Sequence, residues 1–273
     1  MRINVLGPMT VVLDGEHRVV RAGKVRAMLA ALAMDAGRAV SHHDLVEELW
    51  PNRHLRNPRN ALQAHATRIR KVLDRPDTGL SASTLKAVPN GYLLDAPPER
   101  VDARAFMLLV ADSRPLLLSS PDRAVPRLES ALALWRGPAL LDAGDGLRCR
   151  SAAALLEEHR LAAHGELAIA RMALGDDLRA IAELRPQVAR NPLNEHLCEA
   201  LMLALYRTGQ QADALALFRH TRQSLGGELG IEPGTRLRLL QSGILRHDPA
   251  LFTSAALRRL HGLHGNAADR ALR

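Results

Sequence analysis

Between Leu49 and Leu73 the 273-residue chain carries Arg53, Arg56, Arg59, Arg68, Arg70 and Lys71 and not one Asp or Glu. Within that stretch, "NALQAHATRIRKVL" (residues 60 to 73) sets amide and hydroxyl side chains among the cations. Wound as a helix at about 100° per residue, it places Ala66, Ile69 and Leu73 within about 40° of Leu62, an apolar stripe. Asn60, Ala64, Thr67 and Lys71 then point the opposite way, with Gln63, Arg68 and Arg70 on the flanks. Side-chain amides pair bidentately with adenine and guanidinium groups with guanine, whereas flanking Arg and Lys neutralise phosphates. This chemistry assigns Asn60, Gln63 and Thr67 to base edges and Arg59, Arg68, Arg70 and Lys71 mostly to phosphates. Spacing alone does not fix that division, and a basic face is also compatible with plain solvation. The neighbouring elements decide.

Ahead of this helix come three short alternating runs, "RINVLG", "TVVL" and "HRVVRA", separated by turn signals at Gly7-Pro8 and Asp14-Gly15. They predict a small antiparallel sheet. "KVRAMLAALAMDAG" predicts a first helix, with Gly37 as its C-terminal cap. Ser41, with Asp44 three residues on, predicts the start of a second helix that Pro51 ends. Pro58 suits the first turn of the third helix, where its missing N–H is not needed. Beyond it "TLKAVPNGYLLD" predicts two strands joined by a tight turn at Asn90 and Gly91. Strands, three helices and a hairpin make a winged helix-turn-helix, in which the third helix enters a major groove and the hairpin reaches the adjacent minor groove. Lys86 and Asn90 are the contact residues expected on that hairpin, although Asn90 also has a sufficient role as turn chemistry. Lys24 and Arg26, at the start of the first helix, have both a backbone-contact and a plain surface reading.

"DAPPER" (95 to 100) is a proline-rich boundary after which strand signals vanish. "RMALGDDLRAIAEL" (171 to 184) then aligns with "LYRTGQQADALALF" (205 to 218) at an offset of 34 residues, matching Gly175 with Gly209, Ala180 with Ala214, Ile181 with Leu215 and Leu184 with Phe218. A period of about 34 is that of tetratricopeptide hairpins. "RAVPRLESALALWRG" (123 to 137) resembles a degenerate partner in the stack, "GGELGIEPG" (226 to 234) predicts a break, and "TRLRLLQSGILR" a final helix. The expected organisation is multidomain, α+β then all-α: a winged-helix DNA-binding domain over 1–97, a tetratricopeptide-like helical domain over 98–252, and a basic tail of uncertain order over 253–273.

Composition narrows the function classes. The net charge is +8, and residues 1 to 100 hold 15 Lys+Arg against 10 Asp+Glu, while residues 101 to 273 hold 22 against 19. The shorter part carries the larger excess, which suits a polyanionic partner. No run of about 18 apolar residues is present to span a bilayer, and the N-terminus lacks the pattern of a secretory signal, so a cytoplasmic, nucleoid-associated protein is expected. Cys149 and Cys198 stand far apart, which supports neither a disulfide framework nor a cysteine zinc site. His42-His43 are adjacent and His261 and His264 lack acidic neighbours, so no metal is expected. The phosphate-loop, dinucleotide, nucleophile-elbow and zincin signatures are all missing, so the chain reads as a non-enzyme with no cofactor.

With these elements in order, residues 1 to about 252 resemble the Streptomyces antibiotic regulatory protein family of transcriptional activators. "VLGPMTV" resembles the opening strand and turn, "GKVRAMLAALAMDAGRAVSHHDLVEELW" the first two helices, "NALQAHATRIRKVL" the recognition helix and "NGYLL" the wing. "VDARAF", "ALALWRGPAL", "NPLNEHLCEALMLALYRTGQQADALALF" and "LGIEPG" resemble the bacterial transcriptional activation domain that follows. The resemblance implies an OmpR-type winged helix that binds direct repeats in double-stranded DNA near a promoter, commonly as two protomers side by side. It further implies a helical domain that engages RNA polymerase holoenzyme, including its sigma factor, to switch on an antibiotic biosynthetic gene cluster. The chain reads as the short form of the family. The basic "WPNRHLRNPRN" and the "QAH" at 63 to 65 depart from the usual pattern, which implies a different operator. A protein-binding adaptor built on the helical repeats, and a repressor with the same DNA contacts, are the competing readings.

Overall fold

The structure, a computed structural model, describes residues 1–51, 55–75, 79 and 82–262. The chain divides into two compact units, one made of Met1–Leu108 and Ala133–Glu158, the other of Leu109–Leu132 and His159–Arg273.

The first unit opens with an antiparallel sheet in the order β1 (Arg2–Asn4), β2 (Thr10–Leu13), β3 (Glu16–Arg18). The β2–β3 loop is Asp14-Gly15, both at positive φ (53° and 86°), which matches the right-handed twist of the strands it joins. Then follow α1 (Gly23–Met34), β4 (Ala39–Ser41), α2 (His42–Leu49), α3 (Pro58–Leu73), β5 (Leu85–Val88) and β6 (Gly91–Leu94), the last two pairing with β4 in a second sheet of order β4-β6-β5. The predicted winged helix-turn-helix is therefore present. Ser41 Oγ accepts the Asp44 N–H at 3.1 Å and begins α2 as its spacing predicts; Pro58 sits in the first turn of α3, behind the Asn57 side chain, which accepts the Asn60 N–H at 3.2 Å.

Strand β4 carries no signal of its own in the sequence, because three residues are too few to show alternation; only Val40 of the three is buried. The hairpin turn also falls one residue earlier than its Asn-Gly signal indicates. Val88 pairs with Gly91, so the two loop residues are Pro89 and Asn90, and Gly91 is the first residue of β6. The glycine is needed for another reason: a Cβ there would lie 2.0 Å from the Val40 carbonyl oxygen. Gly37 adopts φ 81° and donates its N–H to the Leu94 carbonyl at 3.0 Å, so it turns the chain into the sheet and the cap residue of α1 is Asp35.

Two later segments complete this unit. The carboxylate of Asp102, at the start of α4 (Asp102–Ser113), accepts the Val5 and Leu6 N–H groups at 2.7 and 3.2 Å. The Arg136 and Leu140 N–H groups donate to the carbonyls of Leu6 and Val5, both at 2.8 Å. Thus the loop after β1 takes its hydrogen bonds from residues roughly 95 to 135 positions away, and the unit extends past residue 97.

The second unit is helical, with α5 (Pro121–Leu132), α6 (Leu147–Ala173, belonging here from His159), α7 (Asp177–Arg190), α8 (Glu195–Arg207), α9 (Gln211–Leu229), α10 (Thr235–Leu245) and α11 (Ser254–His261). The 34-residue offset reappears as identical turn geometry. Gly175 and Gly209 hold φ of 78° and 79°. In each turn the glycine N–H bonds back three residues, to Met172 or Tyr206, and the next N–H bonds back five, to Arg171 or Leu205, at 2.9–3.1 Å. This is a Schellman closure, where a residue without Cβ is favoured. Ala180 and Ala214 are both fully buried, and Leu184 and Phe218 pack in the same core. Every residue of α8 from Leu197 to Tyr206 is buried, the mark of a central helix.

The break at "GGELGIEPG" comes later than its glycines indicate. Gly226 and Gly227 remain helical, and α9 ends only at Gly230, which takes φ 68°. Nor is α10 the last helix: α11 follows, with Ala256, Leu257 and Leu260 buried, so this part of the segment after 252 is ordered by its apolar face. The remainder of that tail, 263–273 with His264, lies outside the described residues, as does Arg53 in the basic loop.

Candidate nucleic-acid interface

The α3 helix is held on one side and bare on the other. Leu62, Ala66, Ile69 and Leu73 are all essentially inaccessible, so the predicted stripe is the packed face. Truncating one such large side chain typically costs about 2–5 kcal/mol, enough to loosen the helix. Around the rest of the helix, Arg59, Asn60, Gln63, Thr67, Arg68 and Lys71 are exposed together. The Thr67 hydroxyl donates to the Gln63 carbonyl at 3.0 Å, which leaves its lone pairs outward. Arg59, Arg68 and Lys71 have no ion-pair partner among the described residues, so their charge is not cancelled locally.

The remaining expected residues behave differently. Arg70 is half-buried and its Nε donates to the Leu85 carbonyl at 2.9 Å, joining α3 to the wing. Lys86, on β5, pairs with Asp95 across the hairpin. Asn90 is exposed at the wing tip, and its carbonyl accepts the His42 N–H at 2.7 Å, which ties that tip to the start of α2. Lys24 donates to the Leu49 carbonyl at the end of α2, and Arg26 bonds the Val20 and Arg21 carbonyls at 2.8 and 2.9 Å and pairs with Asp142 at 3.2 Å. Both are framework residues in this geometry.

Several positioning groups carry no local sequence signal. Arg18 of β3 donates to the Val72 and Asp74 carbonyls, both at 3.1 Å, placing a cation at the C-terminal end of α3 where the helix dipole favours it. The Asp74 carboxylate accepts the Thr84 N–H at 3.0 Å and holds the entry to β5 against the same end. Trp50 stacks on His65 with ring centroids 5.7 Å apart and planes 22° from parallel, which fixes the end of α2 against α3. Burial, helped by Arg68 and Lys24, lowers the His65 pKa below the ordinary histidine range; burial and then Arg59 do the same for His42. Near neutral pH these rings therefore pack as uncharged groups, and the positive charge of the face comes from its arginines and lysine.

Outside this face the described residues contain no group of three or more His, Cys, Asp or Glu arranged to hold a metal ion, and no helix among them is long and apolar enough to cross a membrane. What the geometry offers is an acid-free helix flanked by a hairpin, with amides exposed in its first two turns and guanidinium groups around them. Such an arrangement can dock on a polyanion and read a groove.

Comparison with known proteins agrees with this. Residues 16–94 match the family described as "Transcriptional regulatory protein, C terminal", and residues 101–245 match the "Bacterial transcriptional activator domain". The chain is 49% identical to the transcriptional regulator RedD of Streptomyces coelicolor, covering 95% of this chain and 74% of that one. It is 35% identical to the regulatory protein DnrI of Streptomyces peucetius, covering 92% and 94%. Among solved structures, Mycobacterium tuberculosis EmbR in complex with a low-affinity phosphopeptide superposes with a TM-score of 0.89 at 30% identity, covering 96% of this chain and 69% of that one. A winged helix-turn-helix followed by an activator domain, in the order its motifs predicted and with relatives of this similarity over nearly its whole length, makes this chain a member of the Streptomyces antibiotic regulatory protein family of transcriptional activators.

Proposed function

We propose that this activator binds direct repeats in promoter DNA, two protomers side by side, and engages RNA polymerase holoenzyme, including its sigma factor, to switch on an antibiotic biosynthetic gene cluster. The observation that carries the DNA part is the exposed, unneutralised face of α3. Asn60, Gln63 and Thr67 read base edges there, Arg59, Arg68 and Lys71 bind phosphates, and Arg70, Lys86 and Asn90 contribute from the α3 flank and the wing. An operator read in successive major grooves spaces its half-sites by about one helical turn, 10–10.5 base pairs. The helical repeats of the second unit, which place paired helices in register at a 34-residue offset, supply a protein-binding surface of the kind polymerase engagement needs. The protein works in the cytoplasm, on the nucleoid.

The test is genome-wide footprinting of the tagged protein, joined to run-off transcription from the strongest site with purified polymerase. Protected direct repeats and a rising transcript support the reading. Protection with a falling transcript retains the DNA contacts and replaces activation with repression; no protected site hands the lead to a protein-binding adaptor. Binding must also weaken steeply with salt, since each phosphate contact releases counterions.

A further inference from the structure

We propose that the second unit carries a binding site for a small anionic amphiphile: an apolar body with a carboxylate, sulfonate or phosphate head, seated in the cavity lined by α8, α10 and α11. The cavity has a volume of about 430 Å³, within the range of roughly 300–1,000 Å³ in which small-molecule sites fall. Its floor is hydrocarbon, formed by the buried side chains of Leu203, Leu240, Leu251 and Leu260. Gly243 helps keep it open, since a Cβ there would stand 3.3 Å from the Leu251 side chain. Leu239, 63% exposed, belongs to the same lining, an apolar surface that water covers at a cost when the cavity holds no ligand.

Charge selects the head group. Six charged residues line the cavity, and both acids are already used. Glu199 pairs with Arg236 at 3.7 Å, and Asp248 Oδ1 accepts the Ala250 N–H at 2.9 Å, capping the short turn Pro249–Phe252. The Arg236 guanidinium is further tied to the Arg259 carbonyl. Arg246, Arg258 and Arg259 are left without an ion-pair partner among the described residues. Guanidinium groups beside a hydrocarbon wall attract an anion more strongly than the same groups in open water, because the wall lowers the local dielectric. Arg246, Arg258 and Arg259 are exposed, so a cationic ligand is repelled and a neutral hydrocarbon gains nothing from their charge.

The experiment titrates the full chain with 8-anilinonaphthalene-1-sulfonate, followed by fluorescence, beside N-phenyl-1-naphthylamine, which has the same rings without the sulfonate. Expected is one saturable sulfonate site per chain, displaced by decanoate and not by decanol. Reversal of two cavity charges, Arg246→Glu with Arg258→Glu, weakens it by about tenfold or more. The same change in net charge outside the cavity lining, Arg150→Glu with Arg190→Glu, leaves it unaltered. Circular dichroism confirms folding, and if the double variant fails to fold, Arg258→Gln replaces it, with about a threefold loss expected. Equal affinity in all variants, equal loss in both double variants, equal binding of the neutral probe, or no saturable site overturns the proposal.

Discussion

The carboxylate of Glu48, the residue before the last in α2, caps the start of α6: its two oxygens accept the Arg148 and Cys149 N–H groups at 2.8 and 3.0 Å. A helix begins with unpaired N–H groups and a partial positive charge, so a buried carboxylate is well placed there. Gly146 makes room for it, because a Cβ at that position would stand 2.1 Å from the carboxyl carbon. We expect Glu48→Ala to cost about 2–3 kcal/mol by stranding one buried and one part-buried donor, and Gly146→Ala to lose a similar amount by displacing the same group. Denaturant unfolding of the full chain measures both; a change under about 0.5 kcal/mol, that of an ordinary surface substitution, would show the cap to be idle.

A fragment ending at residue 97 should be poorly folded. It retains the whole winged helix yet lacks Asp102, which satisfies the Val5 and Leu6 N–H groups, and the N–H groups of Arg136 and Leu140, which satisfy their carbonyls. Four unsatisfied groups at about 1–3 kcal/mol each approach the whole stability of a small domain. Comparison of its thermal unfolding with that of the full chain decides; a cooperative transition at the same temperature contradicts the expectation.

Glycines in this chain separate into two kinds. Alanine at Gly91 forces a Cβ into the Val40 backbone, so β6 must leave β4 and the wing shifts; a loss of about 3 kcal/mol or more is expected, with DNA affinity falling alongside. Alanine at Gly209 meets open space and suffers only the strain of its left-handed φ, on the order of 1 kcal/mol. Melting temperatures of the two variants, ranked in the opposite order, would refute this distinction.

That contrast also shows what the sequence makes legible. Period and caps are local properties, so Leu62, Ala66, Ile69 and Leu73, the Ser41 cap, the Asp14-Gly15 loop and the 34-residue repeat are all readable from neighbours in the chain. The exposed face of α3 is readable for the same reason: it is the complement of the apolar stripe. Asn90-Gly91 misplaces the turn because the glycine answers a steric demand from Val40, about fifty residues away, and composition cannot distinguish that from turn chemistry. Arg18, Asp74, Glu48 and Asp102 hold the frame through long-range hydrogen bonds, and no spacing rule signals them.

Stability should fall as pH rises through the neutral range because of Glu166. This carboxyl is fully buried in α6, its Oε1 accepts the Arg114 Nε–H at 2.9 Å, its Oε2 has no hydrogen-bond partner among the described residues, and burial pushes its pKa up to about 7 against the pull of Arg114. The folded chain then holds a proton more tightly than the unfolded one, so the penalty on folding is absent below about pH 4.5, grows between about pH 4.5 and 7 and levels off above that, at on the order of 3 kcal/mol. Glu166→Gln removes the ionisation and should flatten the slope of melting temperature between about pH 5 and 8 relative to the unmodified chain. Parallel slopes in the two proteins would rule out the effect.

Arg68 and Arg70 sit two residues apart on α3 and separate binding from architecture. Arg68 is exposed and without an ion-pair partner among the described residues, whereas Arg70 is half-buried and bonds the Leu85 carbonyl that begins the wing. If Arg68 binds phosphate, Arg68→Ala leaves the melting temperature within experimental scatter, weakens DNA binding about equally on operator and unrelated DNA, and reduces the salt slope by about one. Arg70→Ala leaves the Leu85 carbonyl without its charged donor, at a cost of about 1–3 kcal/mol. It also frees the wing to move relative to α3, so operator affinity should fall more than affinity for unrelated DNA. Arg70→Lys restores the charge without the planar guanidinium that reaches Leu85 from Nε, so it should recover non-specific binding and the salt slope but not the lost stability. Matched salt titrations and melting curves for the three variants test this. If Arg70→Ala leaves the melting temperature unchanged, its bond to Leu85 holds nothing together, and if Arg68→Ala leaves the salt slope unchanged, Arg68 does not touch the phosphate backbone.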